Sequence, residues 1–304
     1  MFVTSTPAWQ ELGTALLAEM QAASPELSPD QLALVVVQPS RAGGAEGFVH
    51  RGTEPIYPCS LVKAFHLVHA LAALDEDRIA PHGELDRAMR DMILWSSNTA
   101  TNYVIDVLTG TTGDTLLEGA EYLDWMSKRE RLNRFFWRMD WPEWEGCRIA
   151  QKLMDDTRYG REARFAAEGG GTLNRLTALA AARLMWELFE GDLPLSPPAR
   201  GRAQAILSRD PAGPDAARPE YQLSEYLGGA LPEGVQIWSK AGHNLWTGDA
   251  DTSWFKHDMI RIAAPGRTPV IAVLMTTGEA LATGAPGIFP DIGANIWERV
   301  TAMA

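Results

Sequence analysis

Apolar, β-branched runs gather near the two ends of this 304-residue chain, and a long helix-patterned stretch separates them. Leu32-Ala33-Leu34-Val35-Val36-Val37 reads as a central strand, with Gly47 to Gly52 as its hairpin partner after the Gly43-Gly44 turn. Toward the C-terminus, Gly234 to Lys240, Thr252 to Ala263 and Thr268 to Met275 read as three strands joined by short turns, an antiparallel meander. Strands at both ends make one sheet only if the ends meet. The expected fold is therefore α/β (α+β): an antiparallel sheet flanked by N- and C-terminal helices, with an inserted all-helical lobe. Residues 1–56 and 232–304 are expected to form the sheet domain, and 57–231 the helical domain.

The helical periodicity supports this division. Trp9, Leu12, Leu16, Leu17 and Met20 mark an amphipathic helix within Met1 to Ala23, and Ile288 to Met303 closes the chain as another. Between them, helices are expected over Ser60 to Leu74, Leu85 to Leu94, Ala100 to Leu108 (closed by Gly110), Leu176 to Phe189 and Pro197 to Leu207. Asp114 to Met154 is helical and rich in rings: Tyr122, Trp125, Phe135, Phe136, Trp137, Trp141 and Trp144. These read as core or lid packing, a minority lining a substrate pocket. Asp155 to Gly171 reads as loop and Arg209 to Glu220 as an irregular connection.

Composition narrows the function. A net charge of −12 argues against nucleic acid or an anionic membrane as partner. Two cysteines, Cys59 and Cys147, make no disulfide framework, and Cys59 reads as a small buried residue. The N-terminal stretch has neither the basic start nor the apolar run of a secretory signal, and no stretch reaches membrane-spanning length. A cytoplasmic location is the expectation.

The chemistry centres on Pro58-Cys59-Ser60-Leu61-Val62-Lys63. Ser60 falls at or near a helix start, and residues i and i+3 share a helix face, so the Lys63 ammonium is expected beside the Ser60 hydroxyl. A buried lysine near other cations has a lowered pKa and can take a proton from serine. The helix N-terminus favours an oxyanion forming there. A second polar stretch, Ser96-Ser97-Asn98, enters the next helix, where Ser97 suits an N-cap. A third, Lys240-Ala241-Gly242-His243, lies on the first C-terminal strand. Its small residues would let a strand edge approach a ligand, offering N–H groups to an acyl oxygen and positive charge from Lys240.

These three pieces, in this order, resemble the signatures of the penicilloyl serine transferases, the superfamily of serine β-lactamases and penicillin-binding proteins: Ser-x-x-Lys, Ser-x-Asn and Lys-Thr-Gly. Met92 to Asn102 is similar to class A β-lactamases around their second motif, including Asn102 four residues after Asn98. Asn174 to Leu184 is similar to the helix after their Ω-loop. The resemblance implies Ser60 as nucleophile, Lys63 as its general base and Ser96 as proton relay to the leaving group, with Lys240 beside it. Asn98, Ala241, Gly242 and His243 would bind substrate, and the N–H groups of Ser60 and His243 would form the oxyanion hole. No metal or cofactor is implied.

The chain departs from that pattern in three places. Alanine replaces the threonine of Lys-Thr-Gly, the spacings between motifs differ, and no Glu-x-x-Leu-Asn supplies a deacylating base. Glu162 and Glu168 lie in the corresponding region, in surroundings that do not match. His66 and His69 lack the pattern of a zinc helix, His257-Asp258 lacks a Gly-x-Ser-x-Gly partner, and Gly169-Gly170-Gly171 lacks the rest of a phosphate loop. The expected function is a serine hydrolase cleaving an amide or ester of a small substrate through an acyl-enzyme at Ser60. The alternatives are a true class A-type β-lactamase or D-alanyl-type peptidase, and a sensor that acylates without turnover or a scaffold with a relic site.

Overall fold

The computed structural model of the chain describes residues 2–25, 27–154, 157–168, 173–283 and 288–303. In chain order the elements are β1 (Val3–Thr4), α1 (Pro7–Ala23), β2 (Leu32–Pro39), β3 (Ala45–His50), α2 (Val62–Asp75), α3 (Gly83–Leu94), α4 (Asn98–Thr109), α5 (Gly119–Arg129) and α6 (Arg131–Trp137). Then follow α7 (Gly160–Ala167), α8 (Ala178–Phe189), α9 (Pro197–Leu207), β4 (Ser208–Arg209), β5 (Gln236–Asn244), β6 (Phe255–Ala263), β7 (Val270–Thr277), α10 (Glu279–Thr283) and α11 (Ile288–Ala302).

The strands form one sheet, in the order β1-β3-β2-β7-β6-β5-β4. The two ends of the chain meet where β2 pairs antiparallel with β7, Val35 opposite Val273. The short β1 pairs parallel with β3, the exception to the expected antiparallel sheet.

Residues on both faces of the central strands are buried, which explains their unbroken apolar runs. On β2, Ala33, Val35 and Val37 join the core shared with the helices, while Leu32, Leu34 and Val36 join the core beneath α1 and α11. On β7, Ile271, Val273 and Met275 alternate likewise with Val270, Ala272 and Leu274. Each such Val, Leu, Ile or Met side chain contributes roughly 1.5–3 kcal/mol on burial, so a one-residue slip of register would misplace both layers.

Helix ends follow from capping chemistry. Thr6, His82, Ser97, Thr177 and Ser196 cap α1, α3, α4, α8 and α9 with side-chain acceptors, and Gly110 ends α4 at φ 67°. Most rings of the aromatic segment are packing: Phe65, Phe136 and Trp144 cluster with centroids 4.9–5.4 Å apart.

Two further expectations are corrected. Gly160–Ala167, read as loop, is the helix α7, because Phe165 and Glu162 are buried on one face and Arg129 supplies the counter-charge that makes burying Glu162 possible. Residues 155, 156 and 169–171 of that expected loop, including the triple glycine, lie outside the described residues. Within the stretch assigned to the helical domain, Ser208–Arg209 adds an edge strand to β5. Among the described residues, no helix is long and apolar enough to cross a membrane.

Candidate active site

Ser60 stands in a 3-10 turn, Cys59–Leu61, that leads directly into α2. Cys59, just before it, is buried with φ 48°, a left-handed conformation costly for a residue with a Cβ. Two contacts hold it there. His257 on β6 donates from Nε2 to the Tyr57 carbonyl at 2.9 Å, its Nδ1 accepting the Thr276 N–H at 3.1 Å. Gly242 on β5 lies against the turn so closely that a Cβ there would sit 2.8 Å from the Ser60 nitrogen and 3.0 Å from the Pro58 oxygen. The strand reaches the turn because residue 242 is glycine.

Lys63, one helical turn after Ser60, is fully buried. Its Nζ donates to the Ser96 carbonyl (2.5 Å), the Ser96 hydroxyl (3.2 Å) and Asn98 Oδ1 (2.7 Å). Ser96, in the bend between α3 and α4, adopts φ 52°, which turns both its oxygens toward that lysine. Ser97 accepts the Ala100 N–H as the N-cap of α4. From the other side, fully buried Lys240 on β5 donates to Ser96 Oγ (3.0 Å), Gln222 Oε1 (2.6 Å) and the Ala241 carbonyl (2.5 Å). Burial, and after it the Lys63 cation, hold the Lys240 ammonium well below its usual pKa. A hydroxyl has one proton and two lone pairs. With both pairs taken by lysines, Ser96 has its proton to give.

Ser60, Ser96 and Asn98 line one cavity of about 300 Å³, with Tyr57, Trp95, Met154, Glu220 and Gln222. Its strand wall is an open edge: β4 pairs β5 only at Ile237 and Trp238, so among the described residues no strand covers β5 from Lys240 onward. Backbone N–H groups of that edge and of Ser60 can therefore meet an oxyanion.

The remaining residues fall out as follows. Ala241, expected at the substrate, is fully buried in the core beneath the sheet, because alternation along β5 turns its methyl away from the Lys240 face. His243 lines the cavity, but its ring is tied through Nε2 to the Ala282 carbonyl at 2.9 Å, and burial lowers its pKa. Glu162 is a structural anion, paired bidentately with buried Arg129 at 2.6 and 3.0 Å. Glu168 binds Tyr122 and Arg164, each at 2.8 Å, at the surface. Neither glutamate lines the Ser60 cavity. Asn102 instead clamps the backbone of an apolar residue above the site, Leu153, at 2.6 and 3.1 Å. His257 serves the Tyr57 turn, and Asp258 points the other way to accept the Leu227 N–H at 3.0 Å, where burial pushes it up to about 7.

Sequence reasoning missed Gln222, whose φ of 53° aims its amide at Lys240, and Glu220 on the rim. No local pattern announces either. Trp95 and Tyr57 could have been found as the aromatic neighbours of two motifs.

The fold and this arrangement define a serine hydrolase of the β-lactamase type. Residues 80–300 match the family described as the beta-lactamase enzyme family, and the chain belongs to it. That match begins after Ser60 and Lys63, so their place in the site rests on geometry. Among solved structures, an ancestral class A β-lactamase (the last common ancestor of Gram-negative bacteria) is similar at 19% identity, covering 94% of this chain and 99% of its own, with a TM-score of 0.61. A β-lactamase from Burkholderia vietnamiensis is similar at 16% identity, covering 95% and 97%, with a TM-score of 0.63. At these identities the likeness is one of fold. A comparison with curated proteins finds no match.

Proposed function

We propose that this protein cleaves an amide or ester of a small substrate through an acyl-enzyme at Ser60. As the neutral amine, Lys63 takes the Ser60 proton directly or through water and becomes the ammonium, and Ser96, held between Lys63 and Lys240, passes a proton to the leaving group. The N–H groups of Ser60 and His243 receive the oxyanion, and Asn98 orients the acyl portion. The observation that carries this reading is the convergence of Lys63 and Lys240, from a helix and a strand 177 positions apart, on one hydroxyl at 3.2 and 3.0 Å.

Efficient β-lactam hydrolysis is not part of the proposal. Glu220 is the one carboxylate lining the Ser60 cavity among the described residues, and it stands on the rim beside Gln222. A penicillin acyl-enzyme is expected to persist. Mass spectrometry of the protein after penicillin or a fluorophosphonate, with nitrocefin and p-nitrophenyl esters as turnover assays, tests this. Ester turnover with a Ser60 adduct and slow nitrocefin hydrolysis supports the reading; rapid nitrocefin turnover makes the protein a β-lactamase, and no adduct at Ser60 refutes the mechanism.

A further inference from the structure

The Ser60 cavity shares walls with a neighbour on each side. Tyr57, Met154 and Asn244 also line a cavity of about 660 Å³ against α7. Glu220, Gln222 and His243 also line one of about 280 Å³ that adds Glu225 and Tyr226. Gln222 bonds Lys240, and Lys240 bonds Ser96, so the second neighbour adjoins the groups that protonate a departing fragment. The first is lined by none of the groups bonded to Lys240, and on the acyl-enzyme reading it is the side left for the acyl portion.

We infer that the leaving group carries no carboxylate and is best accepted as a cation, selected by Glu220. The inference rests on the acyl-enzyme reading of Ser60 and adds the substrate's charge to it. Each of the three Lys240 hydrogen bonds ends on a protein acceptor, so that ammonium has no donor left for a substrate carboxylate. Lys63 Nζ is likewise engaged by Ser96 and Asn98. The hydroxyl of a Lys-Thr-Gly motif is missing, and the Ala241 methyl is buried away from the cavity. The His243 ring is committed to the Ala282 carbonyl.

Two cations beside the second neighbour have partners, and Arg158 lines the first neighbour instead. Arg218 stacks 4.3 Å over Trp95 and lies 3.7 Å from Asp215, and Lys256 lies 5.0 Å over Tyr226 and lines neither cavity. The carboxylates that line this side are Glu220, in both cavities, and Glu225, in the second only. A carboxylate there would be repelled and unpaired, whereas an ammonium would gain a partner.

The test uses phenylacetyl esters of phenol, 3-hydroxybenzoate and 3-(trimethylammonio)phenol, each kcat/KM normalised to the ester's hydroxide-catalysed rate. The cationic ester should exceed the anionic one by about tenfold, the scale of two opposed interactions with a partly screened charge. Glu220→Gln should shrink the ratio to about threefold and Glu220→Lys should invert it. An anionic preference, or a ratio unmoved by Glu220→Lys, overturns the inference while leaving Ser60 acylation standing. If Ser60→Ala hydrolyses the esters as fast as wild type, the acyl-enzyme reading fails instead. Calorimetric binding of the two charged phenols to wild type and Glu220→Lys then decides the charge preference, equal or tighter binding of the hydroxybenzoate to wild type overturning it.

Discussion

Lys240 Nζ lies 3.0 Å from Ser96 Oγ although 144 residues separate them. The contact joins the sheet to the helical layer at one hydroxyl, and Lys63 reaches the same oxygen at 3.2 Å from the opposite side. Both lysines are fully buried, so each depends on its acceptors to offset the cost of leaving water.

Removing the proposed nucleophile should separate chemistry from folding. Ser60→Ala is expected to lose all covalent labelling by a fluorophosphonate while its melting temperature stays within a few degrees of wild type. Lys63→Met should lose at least about a thousandfold in kcat/KM. It should also destabilise the protein by roughly 2–4 kcal/mol in urea unfolding, because the Ser96 carbonyl and Asn98 Oδ1 lose their donor. Labelling that survives in Ser60→Ala would mean another nucleophile operates.

Gly242 offers a purely steric test. A Cβ at this position lies 2.8 Å from the Ser60 nitrogen and 2.9 Å from Cys59 Cβ, so Gly242→Ala must push β5 away from the turn. Ester turnover should fall by one to two orders of magnitude through kcat, with the circular dichroism spectrum unchanged. Wild-type kcat in this variant would show that the strand edge is not part of the reacting site.

Arg129 and Glu162 form a buried ion pair, also held by Thr111 and the Ala150 carbonyl. Arg129→Met should cost about 3–5 kcal/mol, since it leaves the buried Glu162 carboxylate with only the longer contact to Lys152 at 3.9 Å, and Arg129→Met/Glu162→Leu should recover most of that loss. Ester hydrolysis by folded Glu162→Gln should keep the wild-type rate. A selective fall in its deacylation rate would restore Glu162 as a base.

Acid should unfold the protein early. Burial lowers His66 and His69 to about 3 and His257 to about 4, and neither His66 nitrogen has a hydrogen-bond partner in the described structure. Below the ordinary imidazole value of about 6.5 the unfolded chain binds these protons and the native state refuses them. The stability they contribute is complete above pH 6.5 and is lost as pH falls from there toward 4 for His257 and toward 3 for His66 and His69. Asp258, raised to about 7 by burial, and Asp106, also raised by burial, act with the opposite sign above their unfolded value, but they are two groups against four histidines once His243 is included. Urea midpoints measured from pH 7 to 4.5 should fall steadily, and His66→Leu should flatten the slope by about one proton. An unchanged slope would contradict the burial argument for this histidine.

The strands and the long helices were legible because their signals are local. The continuous run from Leu32 to Val37 records burial on both faces, and Ser97 and Gly110 record the two ends of α4. α7 was not legible, since its burial of Glu162 depends on a guanidinium 33 residues away. β4 was hidden for a similar reason: two residues carry no periodicity, and only the edge of β5 makes them a strand.

The site divides in the same way. A helix start and a helical turn pointed to Ser60 and Lys63, a strand edge to Lys240, and the resemblance of three short motifs added Ser96 and Asn98 as expected site residues. Which groups complete the site was decided by packing across the fold. Gln222 reaches Lys240 through a left-handed backbone, Glu220 stands at the rim, and Glu162 and Glu168 are drawn into ion pairs elsewhere. Hydrogen-bond acceptors and counter-charges are supplied by whichever element lies nearest in space, and sequence order does not encode that distance.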